Sequence, residues 1–185
     1  MYIPNGLLER HVLESNLIEG ITVHPGLALY NSHFQAALRV ARQPRWEYFP
    51  IHPNDLHARL CRGTHMESFG GTYRKRYVWV GNRRMPRAET IPELMCWWWE
   101  YVEQFLESKE SPEMLATRAV VLHYFFLCVH PYQDGNGRTA RLVLNSLRLR
   151  RGLSWVIIDA ALYKLYRRRI QETEAIFRSM KPDVY

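Results

Sequence analysis

Residues 130–141 read H-P-Y-Q-D-G-N-G-R-T-A-R and hold most of the chemistry in this chain. Moving a proton off a hydroxyl needs a base that is neutral near physiological pH, and His130 is one. A divalent cation needs a hard oxygen ligand, which Asp134 supplies. Phosphate oxygens need backbone N–H groups that a ligand can crowd, and Gly135 and Gly137 permit that approach. Arg138 and Arg141 add fixed positive charge three residues apart. Together these residues fit a site for phosphoryl or nucleotidyl transfer.

Such a site must be held by the elements around it. The run from Ser111-Pro112 to about Cys128 is apolar nearly all round, so it predicts a central buried helix. His130-Pro131 ends that helix, because a residue before proline avoids the right-handed helical region. A new helix starts near Gly137 and runs to about Arg151, where Gly152 stops it. The loop amides and the new N-terminus then form an anion site. Helical spacing also predicts helices over residues 5–19, from His24 or Pro25 to Ala41, 54–61, 92–108 and 160–180. Asn5 and Gly20 read as the cap and stop of the first. In the second, Leu27, Tyr30, Phe34, Leu38 and Ala41 share one face. A proline-rich connection covers 44–53. One β segment stands out over 70–80, with a turn at Gly81-Asn82 and a short return over 84–88. Trp97, Trp98 and Trp99 point to different helix faces and read as packing residues. The fold class is therefore all-α with one short β-hairpin, in a single domain over 1–185.

The 185 residues carry 47% hydrophobic residues and a net charge of +7, with lysine at four positions only. That composition describes a globular chain and excludes a disordered one. The basic balance reads first as a solvated basic surface and second as a polyanion partner, a nucleotide or nucleic acid, of which nucleic acid is disfavoured. Arg148, Arg150 and Arg151, and then Arg167, Arg168 and Arg169, lack the interleaved aromatics of a single-strand surface. Cys61, Cys96 and Cys128 are scattered, which suits a reducing compartment. The opening residues do not resemble a signal peptide, and the apolar run over 119–129 is short for a bilayer. A cytoplasmic protein without a membrane partner is expected. The remaining histidines (His11, His24, His33, His52, His57, His65 and His123) lack metal-site spacing and read as surface or packing residues.

The stretch from His130 to Arg141 resembles the Fic motif, H-x-F-x-[DE]-G-N-G-R-x-x-R, and differs at one position, where Tyr132 replaces phenylalanine. Residues 71–80 resemble the hairpin called the flap in that family, and Ile91-Pro92-Glu93 resembles the helix start that follows it. The resemblance implies a protein adenylyltransferase on the Fic fold, moving AMP from ATP to a Ser, Thr or Tyr hydroxyl of a protein. It implies His130 as the base and Asp134 as the ligand of Mg²⁺ (or Mn²⁺). Gly135, Asn136 and Gly137 would hold the phosphates, with Arg138 and Arg141 on the β and γ phosphates. Thr72, Tyr73 and Arg74 would lie in the flap that docks the target as an added strand. Ser15-Asn16-Leu17-Ile18-Glu19-Gly20 matches the family's inhibitory motif [ST]-x-x-x-E-[GN]. By resemblance, residues 5–20 form an inhibitory helix ahead of a core over about 25–180. Ser15 and Glu19 then belong to the site, with Glu19 competing for Arg141.

Other readings stay open on the residues alone. Some inhibited Fic proteins also remove AMP from targets. Doc-type relatives phosphorylate, but they carry lysine where this chain has Gly137. A non-catalytic nucleotide-sensing module would also suit the charge, and exposed aromatics are compatible with self-association. Tyr163 and Tyr166 suit either an adenine or helix packing.

Overall fold

The computed structural model describes residues 2–43 and 50–185. The helices run α1 (Asn5–Leu17), α2 (Ala28–Ala41), α3 (Pro53–Cys61), α4 (Ile91–Glu107), α5 (Pro112–Val129), α6 (Asn136–Arg150) and α7 (Tyr163–Met180). Between α3 and α4 lies an antiparallel pair, β1 (Trp79–Val80) and β2 (Arg83–Arg84), in which Trp79 faces Arg84 and Val80 faces Arg83. The expected fold class, mainly helical with one short hairpin, is the fold observed. Most of the expected proline-rich connection over 44–53 lies outside the described residues.

Burial reverses the expected roles of the last two core helices. α6, not α5, is the most enclosed: eleven of its fifteen residues are buried. It packs against α1, α2, α3 and α5. Its buried set includes Asn136, Arg138, Thr139, Arg141, Asn145 and Ser146. These polar side chains hide the helix from a hydrophobicity reading, and each such group needs a partner inside. Asn145, for example, bonds both the N–H and C=O of Val156. α5 buries eight of its eighteen residues and leaves Met114 and Val121 at the surface. By length and composition α5 could cross a membrane, and here it packs between α4, α6 and α7. A core helix passes the same test.

Ser111 caps α5 through Met114 N–H, with Pro112 at the first helical position, as its sequence predicts. α1 starts differently. Pro4 occupies the cap position and Asn5 is already helical without a capping bond. Its end follows expectation. Gly20 sits at φ +72°, Gly20 N–H bonds Leu17 O, and Ile21 N–H bonds Asn16 O. This pair of bonds closes the helix and sets Glu19 at its tip. Leu8 and Val12 of α1 are completely buried, each stabilising the packed helix by roughly 1.5–3 kcal/mol. α2 starts at Ala28, and its buried face is Tyr30, His33, Ala36, Ala37 and Val40. Phe34, Leu38 and Ala41 are part-buried at the edge of that face and Leu27 is exposed. Ala36 and Ala37, both completely buried, let α2 pack on α1, α3 and α6.

The hairpin is shorter than expected. Residues 70–78 form turns and an irregular segment, and Pro86 lies beyond β2. The three tryptophans separate as predicted. Trp98 is buried and donates to Leu122 O, Trp99 lies against the ring of His52, and Trp97 lies beneath Lys181. The arginine clusters are partly engaged within the chain: Arg148 and Arg151 bond backbone carbonyls, and Arg168 and Arg169 pair with Glu172.

Candidate active site

α5 ends on an unusual backbone. His130 sits at φ 53° and ψ 59°, and among the described residues no other non-glycine residue has positive φ. The left-handed region costs an L-residue about 1 kcal/mol, so the surroundings must hold it there. Pro131 forbids the right-handed alternative, and Arg74 supplies a brace. Its Nε donates to His130 O at 2.8 Å, and its other nitrogens reach Arg76 O and Pro86 O. Arg74 N–H also bonds Pro131 O at 2.9 Å. Although expected on the docking flap, Arg74 is buried, with its guanidinium given to these carbonyls. Tyr73 is part-buried against Tyr132, and Thr72 is exposed with its hydroxyl on Phe69 O.

The loop is closed by its own side chains. Tyr132 N–H donates to Asn136 Oδ1 and Asn136 Nδ2 donates to Tyr132 O, both at 2.8 Å. The Asn136 amide thus shapes the loop, whereas the motif resemblance assigns it to phosphate. Gly135 takes φ +72° to enter α6, and a Cβ there would lie 3.3 Å from His57 Nε2. The departure at Tyr132 is absorbed: its hydroxyl donates to Asn54 Oδ1 at 2.7 Å, and its ring stacks on His57 at 3.8 Å.

His57 is the positioning residue that sequence reasoning missed. Gly71 N–H donates to its Nδ1 at 2.9 Å, so the proton sits on Nε2, which donates to Asp134 O at 3.0 Å. One neutral ring therefore ties the segment before the hairpin to the loop. Burial, partly offset by the Asp134 carbonyl bond, lowers its pKa to about 4 and keeps it neutral. The available signal was its place on α3: Leu56, His57, Leu60 and Cys61 form the buried stripe of a short helix.

A cleft of about 410 Å³ opens beside this loop, lined in part by Glu19, His130, Gly137, Arg141, Tyr163 and Tyr166. The His130 Nδ1 is 3.4 Å from Leu127 O, which can only accept, so Nδ1 carries the proton and Nε2 keeps its lone pair. Burial and the nearby Arg74 cation lower the His130 pKa to about 4. The ring is thus a neutral, proton-accepting group at pH 7.

Arg141 is gripped by the end of α1. Its Nε donates to Ser15 Oγ at 2.7 Å, and its NH2 donates to Ser15 O at 2.8 Å and to Glu19 Oε1 at 2.6 Å. Ser15 is buried, whereas Glu19 remains about one-third exposed. Burial works to lower the Arg141 pKa, but Glu19 and Tyr166 outweigh it and the pKa is raised. Tyr166 belongs to a chain of neutral groups. It serves Arg141, its hydroxyl donates to His123 Nε2 at 2.8 Å, and His123 Nδ1 donates to Ala140 O at 3.0 Å. The Glu19 carboxylate also covers the start of α6. A Cβ at Gly137 would fall 2.0 Å from Glu19 Oε1. Only glycine leaves room for an anionic group against this helix end.

Arg138 is placed less directly. It is buried beneath the loop and does not line the cleft, with NH2 at 3.5 Å from both Met66 Sδ and Asp134 Oδ1. Its Nε and NH1 have no hydrogen-bond partner. Asp134 is half-exposed: Oδ1 accepts Gly135 N–H at 2.5 Å, and Oδ2 stands 3.8 Å from His65 Nε2. No cluster of three or more His, Cys, Asp or Glu gathers as a metal site among the described residues. Any cation here would be held by Asp134 together with oxygens of a bound ligand, which is how Mg²⁺ is commonly held.

A base, a guanidinium, a helix N-terminus and a carboxylate therefore surround one cleft, and a carboxylate from α1 occupies its anion site. The sequence profile of the Fic/DOC family matches residues 52–147. Proteins named protein adenylyltransferase Fic are similar in sequence. The one from Drosophila ananassae is 36% identical over 106 residues, which is 56% of this chain and 20% of that protein. The one from Aedes aegypti is 37% identical over 91 residues, 49% of this chain and 17% of that protein. The chain thus spans about a fifth of the length of the curated relatives it matches. In structure it is similar to a Fic domain containing signaling protein from Bacteroides thetaiotaomicron, with a TM-score of 0.72 at 19% identity over 90% of this chain and 72% of that one. A Fic family protein from Desulfovibrio desulfuricans superposes with a TM-score of 0.68 at 20% identity, over 94% of this chain and 57% of that one. The motif, the loop built on it and the family profile agree: this chain belongs to the Fic/DOC family.

Proposed function

We propose that this chain is a protein adenylyltransferase held off by Glu19. The observation that carries this reading is the 2.6 Å contact between Glu19 Oε1 and Arg141 NH2, with His130 lining the same cleft. Arg141 at the α6 N-terminus suits a terminal phosphate, and a carboxylate already seated there competes with it. Asp134 fits one bond to Mg²⁺ or Mn²⁺ beside the phosphates, where the cation would neutralise the charge building on them. In the transfer step a target hydroxyl oxygen bonds the α-phosphorus of ATP. The bond to the β-phosphate oxygen breaks and pyrophosphate leaves. The hydroxyl proton passes to His130 Nε2, which is neutral and free to accept it. The relatives' shared name, protein adenylyltransferase, supports the same reaction. Gly137 favours this reading over phosphorylation, since a longer side chain would fill the space against Arg141.

The test measures AMP added to protein by mass. Glu19→Gly should raise transfer at least about tenfold, because a charge-assisted hydrogen bond of about 1.5–3 kcal/mol no longer opposes the nucleotide. His130→Ala in that background should lower it by roughly 10²–10⁴-fold while ATP still binds. ATP binding by Glu19→Gly without any gain in transfer would refute inhibition by Glu19. Transfer surviving in His130→Ala would remove the base.

A further inference from the structure

The hairpin beside the cleft carries charge of one sign. Residues 68–88 hold six cations (Arg74, Lys75, Arg76, Arg83, Arg84 and Arg87) and no carboxylate. Four of the six have internal work. Arg74 braces the loop, Arg83 pairs with buried Glu174 at 2.6 Å, Arg84 lies 3.9 Å over the ring of Tyr77, and Arg87 NH2 donates to Asp183 O. Lys75 and Arg76 are exposed and form no ion pair among the described residues. Two large aromatic side chains share this surface: Trp79 is 63% exposed and Tyr77 53%.

The register divides the hairpin into two faces. Val80 and Arg83 form one cross-strand pair and both line the cleft that holds His130. Trp79 and Arg84 form the other pair, on the opposite face, where Tyr77 meets Arg84. Among the described residues the sheet has two strands, so the outer edge of β1 offers unpaired backbone groups. An extended segment added there alternates in the same way. A residue that points its hydroxyl into the cleft turns its two neighbours towards Trp79, Arg84 and Tyr77.

We propose that this hairpin selects acidic target segments, with Asp or Glu immediately beside the modified hydroxyl. The inference rests on the adenylyltransferase reading for its reaction, and on the hairpin's charge and register for its selectivity. An acidic neighbour is drawn to Arg84 and to a hairpin whose charged side chains are all basic, and like charge there is repelled. A peptide is favoured over a nucleic acid because an open strand edge pairs with backbone N–H and C=O groups, which polynucleotides lack.

The experiment uses the Glu19→Gly chain and two peptides that differ only in the residues flanking a single Thr, Glu in one and Lys in the other. Binding is read by fluorescence anisotropy and transfer by the mass of added AMP. The Glu peptide should bind about tenfold tighter, the effect of two exposed charge pairs of roughly 0.7 kcal/mol each. Lys75→Glu/Arg76→Glu should abolish or reverse that preference, with an unchanged melting temperature showing that the fold is intact. Equal binding of the two peptides, or a preference unmoved by the double variant, overturns the proposal. So does tighter binding of a single-stranded oligonucleotide than of the Glu peptide. Acid-selective binding with no AMP on either peptide supports the surface and refutes the reaction, so the two failures are distinct.

Discussion

Acid should unfold this protein through its histidines before its carboxylates titrate. His11, His33 and His123 are each at most 2% exposed. Burial, and then nearby Arg141, lowers the His11 pKa to about 3. Burial lowers that of His123 to about 3 as well, against a partly compensating bond to Ala140 O. Burial, His11, Arg138 and Arg141 hold His33 well below its usual range. The sign follows from linkage. Above pH 6.5 these rings are neutral in both states and pH has no effect through them. Below 6.5 the unfolded chain takes up one proton per ring and the folded chain does not, so stability falls as pH falls towards the folded values. His57 and His130, each held at about 4, withhold protons over the same range. Each ring contributes about 1.4 kcal/mol per pH unit, so the five contribute about 7 kcal/mol per unit near pH 5. Between pH 6.5 and 5 the loss sums to about 8 kcal/mol, comparable to the 5–15 kcal/mol of a typical domain. The assay is urea unfolding at half-unit steps from pH 7.5 to 4.5, read by tryptophan fluorescence. The ΔG slope should approach five protons near pH 5. His11→Phe, which keeps the edge-on contacts with His33 and Trp155 and deletes an unpartnered Nε2, should reduce the slope by one proton. A slope of one proton or less at pH 5, or an unchanged slope in His11→Phe, would refute the reasoning.

Two further variants probe the loop. Tyr132→Phe removes the hydroxyl bond to Asn54 but keeps the stack on His57, so it should cost about 1 kcal/mol and lower the melting temperature by roughly 2–4 °C. A drop several times larger would mean that the hydroxyl holds more than Asn54. His57→Ala deletes both the stack and the bridge from Gly71 to Asp134, at about 3 kcal/mol. It should also speed hydrogen exchange at the Gly71 amide far more than in α6, and equal acceleration in both places would count against a local clamp.

The site was legible where chemistry and chain order coincide. His130, Asp134, Gly137 and Arg141 fall within one loop and the first two turns of α6, and the order helix, base, glycine turn, helix survives folding intact. The meeting of Glu19 with Arg141 was legible only through resemblance, because no spacing rule joins residues 122 positions apart. The burial of α6 was illegible for a physical reason. Its buried faces carry polar side chains, some of them satisfied by distant partners such as Ser15 and Val156, which composition cannot see. The hairpin was read too long because alternating residues over 70–80 suit a strand, whereas Arg74 draws that segment inward onto backbone carbonyls. His57 and Tyr166 act through one or two bonds each and leave no pattern in sequence beyond a polar group on a buried helix face.

The way α1 is held bears on how the proposed inhibition by Glu19 would end. Leu8 and Val12 lie completely inside the core, and Ser15 gives Arg141 two of its three bonds from α1. Undocking the helix would strip the core as well as the inhibitor. Glu19, in contrast, sits past the last helical turn, beside Gly20 at φ +72°, and is one-third exposed. It can swing out through its own side-chain torsions while α1 stays packed and Ser15 still orients Arg141. On the proposed reading, such a single-residue release would let nucleotide and carboxylate exchange at one guanidinium on the timescale of a rotamer change, without partial unfolding.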